Sequence, residues 1–209
     1  HVTGLPSPPA RLAVTKALTS VDPGHPELEA ARRVGIPLEP WQQVVADAAA
    51  SQGGRLVAVA GTHGKSTSAG WLVHVLVAAR RDPGAFVGAL LPSALTGTTP
   101  ATARWGRGDA FIVEADEYAG NFDPYRPEVA MVLNVDWDHP DVFADRTAVV
   151  DAFESWLGAP GAAACAVVVN ADDSGAAELA GRLATGGHRV VRGAAGPGAA
   201  EIGRAHGWT

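Results

Sequence analysis

Leu56-Val57-Ala58-Val59-Ala60 runs directly into Gly61-Thr62-His63-Gly64-Lys65-Ser66, and a helical pattern begins at Lys65. An apolar strand, a glycine-bearing turn and a helix are the context in which such a loop binds phosphate. Glycines let backbone N–H groups turn inward as a cradle, and the helix N-terminus adds partial positive charge. Lys65 then reaches the β- and γ-phosphates and Ser66 offers a hydroxyl to magnesium. The common pattern has glycine six positions before the lysine, where this chain has Val59, so the loop is shorter than usual. A plain strand-to-helix turn with an exposed lysine is the alternative. Lys65 is one of only two lysines in the chain, and with strand and helix in place phosphate binding is the favoured reading.

Outward from the loop, strand-like and helix-like stretches alternate. Arg11 to Thr15 reads as a strand, Pro26 to Val34 and Pro40 to Ala50 as helices, and Arg55 to Ala60 as the strand of the loop. The helix Lys65 to Arg80 carries Leu72, Val73, Leu76 and Val77 at helical spacing, and a short apolar segment near Ala85 to Val87 completes a βαβ unit. Further strands are expected at Ala110 to Val113, Val129 to Leu133, Ala164 to Val169 and Arg189 to Val191, with helices at Arg146 to Leu157 and Ser174 to Leu183. Near-continuous Val/Ala strands alternating with helices predict an α/β fold, a mostly parallel sheet with helices on both faces. Leu91 to Gly108 and Ala115 to Pro127 lack periodicity and border strands, where such folds bind ligands.

The 209 residues are 47% hydrophobic and 18% charged, which excludes disorder and fibrous architectures. A net charge of −6 argues against a basic face for nucleic acid or an anionic membrane. The apolar runs fall well short of the roughly 20 residues that span a bilayer. The single cysteine, Cys165, sits in an apolar run and reads as a core residue, which points to a reducing cytoplasm. The chain opens at His1 and its only methionine is Met131, which points to sequence ahead of it.

Two acidic clusters follow strands: Glu114-Ala115-Asp116-Glu117-Tyr118, and Asn134-Val135-Asp136-Trp137-Asp138-His139. In a parallel sheet both strand ends share one edge with the phosphate loop, so their side chains can converge on a nucleotide's metal. Magnesium prefers oxygen, which makes Ser66 and Glu114 natural ligands and suits His139 better to a second or softer divalent ion. Taken one at a time, Asp116, Glu117, Asp136 and Asp138 read as solvated loop acids. Asp172 and Asp173 open a helix and read first as caps. His25, His74, His188 and His206 have no acidic or glycine-loop context and are assigned no chemistry.

Together, Gly61-Thr62-His63-Gly64-Lys65-Ser66-Thr67, Glu114-Ala115-Asp116-Glu117 and Asn134 through Asp138-His139 resemble, in order and spacing, the central ATPase domain of the Mur ligases. Histidine at the third loop position and the Glu-Ala-Asp-Glu block look most like the members that join UDP-N-acetylmuramate to L-alanine or to recycled murein tripeptide. Other members, including the folylpolyglutamate synthetases, usually carry asparagine at the position of His63. Thr19 to Pro37, with Asp22-Pro23 and Pro26-Glu27-Leu28 ahead of Ala30-Ala31-Arg32, resembles the end of the family's N-terminal UDP-binding domain, and the resemblance runs from about Arg11 to Gly193. It implies a remnant of that domain over residues 1–50, the ATP-binding domain over 51–193 and a linker or domain edge over 194–209.

The resemblance further implies an ATP- and magnesium-dependent ligase of peptidoglycan synthesis or recycling. ATP phosphorylates the lactyl carboxylate of UDP-N-acetylmuramate, and L-alanine or a peptide amine attacks the acyl phosphate. Lys65, Glu114 and His139 take the catalytic positions, Ser66, Glu114 and His139 the metal positions, and Gly61, Thr62, His63, Gly64, Lys65, Ser66, Thr67 and Asn134 the nucleotide positions. The family's adenine-contacting His-Asn segment is not found before Thr209, and the isolated chain is expected to be inactive. A general P-loop NTPase or phosphotransferase, or a catalytically incomplete nucleotide-binding fragment, are the competing readings.

Overall fold

A computed structural model of the chain describes residues 9–161 and 165–194. The expected linker over 194–209 therefore lies, from residue 195 on, outside the described residues, as do His206 and the first residue of the strand expected at Ala164.

Two sheets form. The small one pairs β1 (Leu12–Val14) in parallel with β2 (Leu38–Pro40), and between them run α1 (Lys16–Val21) and α2 (Pro26–Arg33). Ala31 and Ile36 pack there with Leu12 and Leu38 as a core of their own. Glu27 and Glu29 in the first turn of α2 and Arg32 and Arg33 in its last follow the helix dipole.

Next come α3 (Trp41–Gln52), β3 (Arg55–Ala60), α4 (Lys65–Ala78), β4 (Gly84–Leu91), α5 (Ser93–Thr96), β5 (Ala101–Arg104) and β6 (Ala110–Ala115). The chain continues through β7 (Val129–Val132), α6 (Arg146–Leu157), β8 (Ala166–Asn170), α7 (Ser174–Thr185) and β9 (Arg189–Gly193). The large sheet has seven strands in the order β5-β4-β6-β3-β7-β8-β9, all parallel except β5. The parallel α/β architecture expected from the sequence is present. Two details differ. The segment near Ala85 to Val87 lies in the first half of an eight-residue strand, and the aperiodic stretch from Leu91 to Gly108 holds α5 and the antiparallel edge strand β5. The boundary expected near residue 50 falls inside α3, and Val45 and Ala49 of that helix pack into the core of the large sheet.

Alternation along the strands builds that core in two layers. Ala58 and Ala60 of β3, and Phe111, Val113 and Ala115 of β6, face α3, α6 and α7. Val59 and Ile112 point the other way, with Val87, onto Ala69 and Val73 of α4. Val59 is wholly buried in β3, which is why no glycine stands there: the position belongs to the sheet, not the turn. The result is a central β3 flanked by β6 and β7, with all three C-terminal ends on one edge, where open parallel sheets bind ligands.

Candidate nucleotide-binding site

The turn after β3 is held open by its neighbour, the segment after β7. Gly61 has φ of 139°, and a Cβ there would lie 3.0 Å from the Asn134 carbonyl oxygen, so glycine is required on both counts. Asn134 grips the next residue but one reciprocally: its Oδ1 accepts from the His63 N–H at 2.7 Å and its Nδ2 donates to the His63 carbonyl at 3.0 Å. Thr62 is gripped in the same way. Its buried hydroxyl accepts from the Asp136 N–H at 2.9 Å and donates to the Asp136 carbonyl at 3.1 Å. Asp173 fixes the far side of this clamp, since Oδ1 caps α7 through the Ala176 N–H at 2.8 Å and also accepts from the Val135 N–H at 3.0 Å. The capping role expected of Asp173 is present, and it doubles as an anchor for the loop.

Gly64, with φ of 83°, turns the chain into α4, and no side chain caps that helix. Its first residues border a cleft. Thr62, His63, Gly64, Lys65, Ser66, Thr67 and Glu114 line one cleft of about 290 Å³. Ser66 Oγ donates to Glu114 Oε1 at 2.9 Å, and the Gly88 N–H donates to Glu114 Oε2 at 2.6 Å. Glu114 is the last residue but one of β6, beside β4, and a Cβ on Gly88 would stand 2.8 Å from Glu114 Oε2, so the bare backbone of β4 is what lets the carboxylate reach the cleft.

Lys65 Nζ lies 3.0 Å from Glu117 Oε2, 3.5 Å from Asp116 Oδ1 and 3.3 Å from the Thr62 carbonyl oxygen. Glu117 is 1% exposed, which corrects the expectation of a solvated loop acid. It is buried because the loop that follows is anchored from below. Phe122 stacks on Trp156 of α6 with ring centroids 4.5 Å apart, and Trp156 Nε1 donates to the Tyr125 carbonyl at 3.0 Å. With that anchor in place, a carboxylate at 117 points at Lys65 rather than at solvent. The second carboxylate oxygen of Glu117, Oε1, is buried and has no hydrogen-bond partner among the described residues.

His139 adjoins this second acidic pair: one ligand atom from each of Asp116, Glu117 and His139 lie within 4.8 Å of one another. The structure thus brings Ser66 to Glu114, and His139 to Asp116 and Glu117, with Lys65 bonded to both acids of the second group. His139 adopts φ of 55°, a left-handed conformation that strains a residue with a Cβ by roughly 1–2 kcal/mol. Its backbone is held there by N–H bonds from Val142 and Phe143 to its carbonyl and by Asp138 Oδ1 on its own N–H at 2.7 Å. Sequence reasoning missed Gly88, Tyr118 and Asp141 around these groups. The signal for Tyr118 was present, since it abuts the acidic block directly.

A family model described as the Mur ligase middle domain matches residues 59–205. The chain belongs to that family. Among curated relatives, the UDP-N-acetylmuramate–L-alanine ligase of Frankia alni is 40% identical over 190 residues, 90% of this chain and 30% of the relative. That of Cutibacterium acnes is 40% identical over 187 residues, 88% of this chain and 38% of the relative. The chain spans about a third of the length of these curated Mur ligases. Among solved structures, the UDP-N-acetylmuramate:L-alanyl-gamma-D-glutamyl-meso-diaminopimelate ligase from Neisseria meningitides superimposes with a TM-score of 0.64 at 27% identity, covering 87% of this chain and 56% of that one. The UDP-N-acetylmuramate-alanine ligase of Thermotoga maritima gives 0.63 at 26% identity, covering 77% of this chain and 35% of that one. As in the sequence-based expectation, the fold is that of Mur ligases, and among the described residues no helix is long and apolar enough to cross a membrane.

Proposed function

We propose that this chain is the ATP-binding unit of an amide-forming ligase of peptidoglycan synthesis or recycling, in which UDP-N-acetylmuramate is activated for attack by L-alanine or a peptide amine. The convergence of Lys65, Ser66 and Glu114 on one cleft at the ends of β3 and β6 carries this reading. The names of the relatives supply the substrate class.

A lactyl carboxylate oxygen attacks the γ-phosphorus, the bond to the bridging oxygen breaks, and ADP leaves with its electron pair. The amine nitrogen then attacks the acyl carbon, the acyl C–O bond breaks, and inorganic phosphate departs with the electron pair and takes up the proton that nitrogen loses. No protein nucleophile enters either step. What the residues do is electrostatic and geometric. The N–H groups of Gly64, Lys65 and Ser66 at the start of α4 would face the phosphates, since those of Thr62 and His63 are committed to Asn134, and Lys65 would swing between Glu117 and the β/γ-phosphate oxygens, where charge redistributes. Thr62 and Asn134 act through the loop, because their side chains are committed to Asp136 and His63.

The oxygen donors Ser66 Oγ and the Glu114 carboxylate fit a hard divalent cation such as magnesium. Ser66 and Glu114 would hold one such ion and His139, beside Asp116 and Glu117, a second, and their contribution would be neutralisation of phosphate charge. A site of this kind must exclude water from an acyl phosphate. For that reason the 209 residues alone are expected to bind ATP without completing the amide. Of the expected lobes, residues 1–50 and 51–193, we read the first as part of a UDP-sugar lobe only as far as β2, which the separate small core around Ala31 and Ile36 supports, and give α3 to the ATP-binding unit on whose core it packs. Cytoplasmic location follows from the chemistry of these substrates.

Phosphate release from ATP, measured on this unit completed with the flanking domains of its longer relatives and with UDP-N-acetylmuramate and each amine in turn, tests the proposal. Release that needs both the sugar nucleotide and one amine supports it. Release indifferent to both returns the chain to the general NTPase reading.

A further inference from the structure

Both lysines of the chain end at the same turn. Lys65 binds Glu117 and Asp116 from the phosphate loop. Lys16, the first residue of α1, comes from the small sheet 103 residues away and donates Nζ to the Ala119 carbonyl. Ala119 has φ of 48°, a left-handed conformation for a residue with a Cβ, and Gly120 follows at 68°. Such a turn persists only where its surroundings fix it. Within the turn, Asp116 accepts from Asn121 Nδ2 at 2.9 Å. Backbone bonds close the turn from within, from the Gly120 N–H to the Glu117 carbonyl at 3.1 Å and from the Asn121 N–H to the Tyr118 carbonyl at 3.0 Å, and among the described residues Lys16 is the side chain that holds the Ala119 carbonyl from outside.

The residue before Ala119 is what this turn presents to the site. The Tyr118 ring meets the His139 imidazole edge-on, with centroids 4.8 Å apart and planes at 63°. Its hydroxyl donates to Asp141 Oδ2 at 2.9 Å, two residues beyond His139. Tyr118 is thereby pinned at its hydroxyl end to the His139 loop and at its backbone to the turn that Lys16 holds. A wall of this kind limits the imidazole to orientations that keep a nitrogen near Asp116 and Glu117.

We propose that Lys16 and Tyr118 are positioning residues for His139, so that a segment outside the large sheet sets the orientation of a metal-site side chain. The proposal rests on the reading of His139 as a ligand only for its functional consequence. The geometric coupling stands apart from it. Lys16 acts on the turn, the turn on the Tyr118 ring, and the ring on the imidazole. Removing Lys16 relaxes the Ala119 peptide and frees Tyr118 to leave the imidazole face, after which His139 samples rotamers that point away from the acids. Metal affinity falls without loss of any ligand, as happens when groups behind a ligand are removed.

Nuclear magnetic resonance on the chain separates the two parts. The His139 ring resonance is assigned by its disappearance in His139→Gln, and Mn²⁺ binding is titrated by electron paramagnetic resonance in the presence of a non-hydrolysable ATP analogue. Lys16→Met, and Lys16→Ser as a second replacement, are expected to move the His139 resonance towards the position it takes in Tyr118→Leu. They should also weaken Mn²⁺ binding about tenfold. Lys16→Arg should restore both, and Lys16→Met should add nothing in the His139→Gln background. A His139 resonance unmoved in both Lys16 replacements overturns the coupling. Mn²⁺ affinity unchanged by His139→Gln overturns the ligand reading instead, while the resonance still decides the coupling.

Discussion

Thr62→Val removes one oxygen and keeps the shape of the side chain. The hydroxyl makes two bonds to Asp136, at 2.9 and 3.1 Å, from a side chain on a residue that is 6% exposed. Each such bond contributes about 0.5–1.5 kcal/mol net, so the pair is worth about 1–3 kcal/mol. Asp136 itself is exposed, and water can reach part of what it loses, which brings the expected cost to about 1–2 kcal/mol. For a chain of this size that lowers the unfolding temperature by about 2–8 °C. Thermal unfolding followed by circular dichroism measures it, with Thr62→Ser as the control that keeps the hydroxyl. Because the clamp shapes the phosphate loop, affinity for an ATP analogue should fall in Thr62→Val and stay in Thr62→Ser. Unfolding at the parent temperature with unchanged affinity would refute the clamp, since no other group replaces the lost hydroxyl.

Gly88→Val drives a branched side chain into the space of the Glu114 carboxylate, so the magnesium requirement for analogue binding should rise while the fold persists; equal magnesium titrations would count against Glu114 as a ligand. Asp173→Ala removes the α7 cap and the bond to the Val135 N–H, and should cost about 1–2 kcal/mol in denaturant unfolding. Burial pushes the Cys165 thiol up to about 11, against an opposing hydrogen bond from the Ala130 backbone. The folded state therefore keeps the proton that the unfolded chain releases near 9, and this contribution to stability is complete below that pH and lost as pH rises towards about 11. Alkylation at pH 8 should be slow in the native chain and fast in denaturant.

The strand, turn and helix around Lys65 were legible because each is specified locally: apolar residues on both faces of β3, glycine where φ is positive, and a helical repeat after the lysine. Strand β5 was not, because Ala101-Thr102-Ala103-Arg104 has little strand character and gains its form from pairing with β4. Glu117 was misjudged for a similar reason. Acids in loops are usually exposed, and what buries this one is the stacking of Phe122 on Trp156, 34 residues along the chain, which no local pattern records. The company of His139 was not legible: the sequence suggested Glu114, whereas Asp116 and Glu117 gather round it. Lys16 lay beyond reach altogether: its partner is the carbonyl of a residue 103 positions away.

Calorimetric titration of the chain with a non-hydrolysable ATP analogue and magnesium, repeated on Lys65→Ala, bears on the whole account at once. Lys65 is held 3.0 Å from Glu117 at the mouth of the phosphate loop, so its removal takes the principal cation from the cleft and leaves the acids facing the phosphates. The account predicts saturable, magnesium-dependent binding at one site in the parent chain and an affinity lower by at least tenfold, about 1.4 kcal/mol, in Lys65→Ala. Equal affinity in the two proteins would make the loop a structural turn and contradict the assignment of this cleft to ATP.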